Sequence, residues 1–158
     1  MPHELRHGDY LISDDPARLD VEAIHAFLTR CYWAEGIPRD VVARSLANSL
    51  CVGVYAADGE QVGLVRVISD FATFAYYCDV YVLEAHRGRG LSKAAMAACA
   101  DHPRLQHLRR QHLVTQDAQG LYAQFGFHVV AQPDRHMEKR DLEVYRRPAN
   151  APRASSSA

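Results

Sequence analysis

The chain has 158 residues, 48% of them hydrophobic and 23% charged, the balance of one globular domain long enough to bury a core without staples. A formal net charge of -1 excludes a global basic field, and with it recruitment to nucleic acid or to a membrane surface. Any anion site therefore has to be local.

The four cysteines, Cys31, Cys51, Cys78 and Cys99, form no Cys-x-x-Cys pair. They read as small hydrophobes in a reducing compartment, not as a disulfide or zinc framework. "MPHELRHGDY" has no apolar signal core, and no apolar run approaches a membrane span, so a cytoplasmic protein is expected. "HELRH", His3 to His7, matches the His-Glu-x-x-His zinc pattern. That chemistry needs a stable helix and a third ligand. A frayed terminus followed at once by Gly8 cannot supply them, and no metal is expected.

"DYLISDD" predicts a short strand. "DPARLDVEAIHAFLTRCYW" carries Leu19, Ile24, Phe27 and Leu28 at helical spacing, and "GIPRDVVARSLANS" predicts a second helix entered through Pro38. Two β-branched runs flank "ADGE" in "LCVGVYAADGEQVGLVRVISD", a hairpin signal. "TFAYYCDVYVL" predicts a long strand rich in aromatic and β-branched residues. A helix follows from Leu91 to about Ala100, stopped before Pro103. "RRQHLVT" predicts a strand, "AQGLYAQF" a short helix, "GFHVV" a strand and "DLEVYRR" a last one. This order implies a mixed sheet, antiparallel until a strand–helix–strand crossover, with helices on both faces. The single domain is expected over 1–147, and "RRPANAPRASSSA" predicts a disordered tail, 148–158.

The junction "EAHRGRGLSKAAM" follows a strand and opens a helix. Free amides at a helix start, aligned with its dipole, favour an anion. Gly88 and Gly90 let backbone approach that anion, and Arg87, Arg89 and Lys93 add local charge. Lys93 stands where a dinucleotide fingerprint needs a third glycine, and Gly-x-x-x-x-Gly-Lys is absent. By itself the turn is equally a plain strand-to-helix loop.

Some thirty residues on comes "TQDAQGLYAQFGF". The pairing of Arg-x-x-Gly-x-small with Ala-x-x-Leu-Tyr-x-x-x-Gly-Phe resembles the GCN5-related N-acetyltransferase (GNAT) family, over about Asp9 to Tyr145 and most specifically from Val80 to Phe127. The resemblance implies an α/β, α+β-mixed fold, with a central, mostly antiparallel sheet of six to seven strands and helices on both faces. It implies acetyl-CoA as donor, with its pyrophosphate on Arg87, Gly88, Arg89, Gly90, Leu91 and Ser92. The pantetheine arm would run along Val80, Tyr81 and Val82, with Tyr122 beside the thioester sulfur as general acid. Ser92 stands where Gly or Ala is usual. Thr115 stands where many members place an asparagine, so Thr115 or Asp117 would take that contact. "YWAEGIP" and "ATFAYYCDVYVL" resemble a less-characterised group within the family.

Acetyl transfer to an amine needs the neutral amine, a place for the developing oxyanion and an acid for the leaving thiolate. Asp79 is the candidate base; its alternative is a structural charge on a strand where a bulge is expected. Tyr32, Trp33, Phe74 and Tyr76 are the candidate acceptor-binding side chains, with packing as the alternative. Tyr77 and Tyr81 divide in the same way. His86, beside the glycine turn, suits a phosphate more than a metal, and His102, His107 and His112 read as solvated surface. The leading function is direct acetyl transfer from acetyl-CoA to an amine of a small molecule or protein. The alternative is a non-catalytic acyl-CoA-binding sensor or interaction module. The acceptor and a homodimer are left open.

Overall fold

The computed structural model describes residues 1–148; the expected tail, apart from Pro148, lies outside them. One six-stranded sheet runs in chain order. Its strands are β1 (Glu4–His7), β2 (Tyr10–Ser13), β3 (Leu50–Tyr55), β4 (Gln61–Ser69), β5 (Phe74–Val82) and β6 (Arg110–Leu113). Neighbours pair antiparallel except β5 and β6. Helices α1 (Val21–Leu28) and α2 (Arg39–Ala47) join β2 to β3. Helix α3 (Leu91–Ala100) makes the crossover from β5 to β6, and α4 (Gln119–Ala123) follows β6.

Strand alternation divides the apolar residues between two cores. Val52, Val54, Val65, Val67, Ala75 and Tyr77 pack with Leu91, Ala95, Met96 and Cys99 of α3. Cys51, Leu64 and Tyr81 face the other way, onto Ile24 and Leu28 of α1 and Val42 and Leu46 of α2. The expected helices on both faces are thus present. Each fully buried aliphatic side chain, such as Ile24 or Val42, contributes roughly 1.5–3 kcal/mol by leaving water. Asp20 caps α1 by accepting from the Ala23 N–H at 3.0 Å, while α2 starts after Pro38, whose fixed φ suits a helix entry. Among the described residues no helix is long and apolar enough to cross a membrane.

Four expectations are corrected. The terminus carrying "HELRH" is not frayed. Its residues form β1, and the His3 N–H donates to the Asp14 carboxylate at 2.6 Å. His102 is not solvated: it is 4% exposed, with Nε2 2.9 Å from Asp14. The first contact closes one hairpin, whereas the second joins positions 88 apart and leaves no local signal. "GFHVV" forms no strand, because a cavity rather than a partner lies between it and β6. "DLEVYRR" folds as turns. There Asp141 accepts from the Glu143 N–H at 3.1 Å and pairs with Arg147, so local bonds take the place of a ladder.

Candidate active site

The site begins where β5 leaves its neighbours. β6 pairs with β5 only from Phe74 to Tyr77, so Cys78 to Val82 have no strand partner on that side among the described residues. Leu83 N–H donates to Val62 C=O at 2.8 Å, which makes Gly63 and Val82 a non-hydrogen-bonded pair. The backbone groups of Val82 consequently point away from β4, into the opening. The Val82 carbonyl accepts from Arg87 Nε at 2.9 Å. Val80 packs on the first core and Tyr81 on the second, where it stacks on Phe27 at 3.8 Å and 10°.

A bulge turns Asp79 toward β4. The β4–β5 register shifts between Leu64 and Arg66, and Asp79 sits at φ 49°, a left-handed conformation in which aspartate is tolerated. Its Oδ2 accepts from Arg66 Nε at 2.7 Å and its Oδ1 from Trp33 Nε1 at 2.9 Å. Arg66 also donates to Ser49 Oγ at 3.1 Å. The pair is well shielded, with side chains 14% and 9% exposed. Burial disfavours the Arg66 charge, but Asp79 and Cys78 more than offset it and the guanidinium pKa is raised. Burial pushes the Cys78 and Cys51 thiols up to about 12 despite the same arginine.

Trp33 and Tyr32 lie on the connection between α1 and α2. That connection is pinned by Gly36 N–H to Thr29 C=O at 2.9 Å and by His25 Nε2 donating to Ile37 C=O at 3.0 Å. The Tyr32 ring meets Trp33 edge-on at 5.1 Å, and Phe27 lies 6.0 Å from Trp33. Tyr145, missed in the sequence because "DLEVYRR" read as a strand, packs on the second core. Burial raises its pKa, and Asp79 adds to the effect. Arg66 and Ser49 were also missed, since an arginine in a hairpin strand and a serine in a turn carry no motif. Phe74 stands at the other end of β5, stacked on His112 at 6.5 Å; Tyr76 stacks on the same ring at 5.9 Å. The structure therefore brings Tyr32 and Trp33 to Asp79 but holds Phe74 apart. Tyr77 is a core residue, its hydroxyl donating to Gln111.

Across the opening stands Tyr122 on α4. The residue is 8% exposed and lines a cavity of about 540 Å³ along β6, with Thr115, Gln119, Phe127 and His128 but no residue of β5. Burial raises its pKa, and Tyr32 and Asp117 push in the same direction. The phenol thus stays protonated through neutral pH. The Thr115 hydroxyl accepts from the Ala118 N–H at 3.0 Å and so starts α4, whereas Asp117 is exposed.

The glycine turn has the geometry of an anion cradle. Gly88 and Gly90 adopt φ 75° and 73°, where a Cβ is strained. Gly90 caps α3 without a side-chain hydrogen bond, and the first turn holds no acid. The leading amides, from Leu91 and Ser92 onward, are therefore left for an external acceptor. His7 Nε2 donates to the Arg89 carbonyl at 2.8 Å and braces the turn. Arg89 lies 5.9 Å over the Tyr10 ring, and the Tyr10 hydroxyl meets His86 Nδ1 at 2.8 Å. His86 is thus engaged by protein.

His3, Asp14 and His102 bring three metal-competent atoms within 4.8 Å of one another. His102 Nδ1 accepts from the Arg104 N–H at 3.2 Å. With Nδ1 accepting, Nε2 is the donor to Asp14, and the His3 ring lies edge-on to His102 at 4.9 Å.

The sheet is mixed and splayed at its parallel pair, and an uncapped glycine turn lies beside the splay. The family profile "Acetyltransferase (GNAT) domain" matches residues 48–129. A Gibberella zeae protein named "putative acetyltransferase" is 38% identical over 144 residues, covering 77% of this chain and 80% of its own. The crystal structure of a "putative acetyltransferase belonging to the gnat family" from Xanthomonas campestris pv. campestris is 47% identical, with TM-score 0.82, over 92% of this chain and 98% of its own. A Clostridium acetobutylicum "predicted acetyltransferase with acetyl-CoA" is 19% identical, with TM-score 0.59, over 85% and 96%, and shares the fold. The chain belongs to the GNAT acetyltransferase family.

Proposed function

We propose that the protein is an acetyl-CoA-dependent N-acetyltransferase that acts by direct transfer to an amine. The observation that carries this reading is the unpartnered edge of β5 from Cys78 to Val82, flanked by Tyr122 and leading to the uncapped start of α3. Acetyl-CoA, when bound, supplies an activated thioester. The amides of Leu91 and Ser92, with the backbone of Arg87 to Gly90, hold its pyrophosphate. The Val82 N–H, which points into the opening, orients the pantetheine arm, while its carbonyl is held by Arg87. Tyr122 holds its proton on Oη until a departing sulfur needs it. Asp79 orders the acceptor amine or a water that takes its proton. Tyr32, Trp33, Tyr76 and Tyr145 line the acceptor side.

The test is a screen of acceptor amines followed by free CoA release, with acetyl-CoA affinity measured by calorimetry. One specific observation favours the alternative, an acyl-CoA-binding module without turnover. Both Asp79 oxygens already accept hydrogen bonds, from Trp33 and Arg66, which weakens a carboxylate as a base. Normal affinity with no release over a broad amine panel would select it.

A further inference from the structure

A cavity of about 570 Å³ opens beside the outer edge of β6, between that strand and the chain that follows α4. Arg109, Arg110, Arg135, His112, His128 and His136 stand on its wall, and no carboxylate among the described residues does. The nearest acids along the chain, Asp134 and Glu138, lie outside the lining, and Glu138 faces Arg140 instead. None of the three arginines forms an ion pair among the described residues.

The histidines supply ring N–H donors on the same wall. His112 and His136 stack at 5.8 Å and 15°. Burial lowers the His112 pKa, and His136 and Arg110 lower it further. In a chain of net charge -1, three unpaired guanidiniums and three imidazoles around one cavity form a local anion site. The wall also carries the Phe125 and Phe127 rings, and the volume falls in the range of small-molecule sites. Arg110 pairs with Phe74, at the start of β5, whereas the glycine turn follows its end at Val82. A nine-residue strand spans roughly 27 Å between those ends, so the cavity is not part of the α3 turn; it adjoins the cavity lined by Tyr122, with which it shares Gln111, His112, Phe127, His128 and Val130.

We infer that this cavity is a second ligand site, which binds a phosphate dianion free or carried on a small organic ester. The arginines present paired donors to the phosphate oxygens, and the aromatic wall accommodates the organic part.

The test follows the histidine Cε1–H resonances of the full chain during titration with inorganic phosphate at constant ionic strength, and separately with phenyl phosphate. Saturable shifts of His112, His128 and His136 are expected, with His25 unmoved. The Arg110→Gln/Arg135→Gln protein alters only exposed side chains and should keep its melting temperature. Its affinity should fall at least about tenfold, since two charge-assisted contacts are lost. Tighter binding of phenyl phosphate would identify an ester as the ligand; equal or weaker binding would identify the free ion. Shifts that stay linear, an affinity unchanged in the double variant, or shifts confined to His7 and His86 would each overturn the site.

Discussion

The Trp33 indole donates to the Asp79 carboxylate at 2.9 Å across 46 positions of sequence. The same carboxylate receives Arg66 from the neighbouring strand at 2.7 Å. One aspartate thus fastens the α1–α2 connection to the bulge in β5.

Asp79→Asn should therefore have two effects. It leaves the shielded Arg66 without its counter-charge, and removing one partner of a buried pair costs about 3–5 kcal/mol. A urea midpoint would read that loss. If Asp79 also orders the amine, turnover falls and the acidic limb of the pH–rate profile disappears. Unchanged turnover and profile in the folded variant would leave Asp79 a purely structural clamp.

Gly90→Val tests the cofactor turn. A β-branched residue at φ 73° is strained by roughly 1–2 kcal/mol, and its Cβ would stand 3.5 Å from His7 Nε2. Acetyl-CoA affinity should drop while the sheet stays folded. Unaltered affinity by calorimetry would move the phosphates elsewhere.

Tyr122→Phe removes one oxygen and keeps the ring that packs near Phe127, 6.2 Å away. Acetyl-CoA should bind as before, and turnover should fall about 10²-fold where chemistry limits the rate. Burial raises the phenol pKa, so the acid form persists as pH rises. No alkaline limb from this residue should appear below its ordinary value of ~10. A parent-like rate would leave Tyr122 a packing residue.

The thiols report on burial. Cys51 and Cys78 are pushed up to about 12, against ~8.5 for a free thiol. With the folded pKa raised, the unfolded chain loses these protons first. Stability should be intact below ~8.5 and decline as pH climbs toward 12. Comparing urea midpoints at pH 8 and 10.5 reads this directly. At pH 8 the buried Cys51 should resist maleimide in the native protein and react in denaturant, with the half-buried Cys78 labelling faster than Cys51; rapid native labelling of Cys51 would contradict its burial.

His102→Phe removes both the donor to Asp14 and the acceptor for the Arg104 N–H. The melting temperature should fall by the equivalent of about 1–3 kcal/mol. Treatment of the parent protein with EDTA should leave it unchanged, since the pair is held by a proton; a drop would assign the cluster to a metal.

Much of this protein is decided within short windows of sequence. The α3 helix spans Leu91–Ala100, as its alanine-rich run and the following Pro103 predict. β3, β4 and β5 follow from β-branched alternation, and the turn at "ADGE" closes with Ala56 and Glu60 bonded at 2.8 Å. The glycine turn was legible because its residues are contiguous, and a helix start requires nothing distant to expose its amides. The remainder depended on the tertiary structure, because its partners lie far apart. Arg66 reaches Asp79 across 13 positions and His102 reaches Asp14 across 88. Hydrophobic periodicity records only which face a residue takes, not which polar group meets it there. β1 differs, since its partner β2 follows at once across Gly8 and Asp9, a hairpin signal inside one short window; the distant-partner limit explains why "GFHVV" has strand composition without strand structure. A strand exists only when a second edge is within hydrogen-bonding reach, and that is a property of the whole chain.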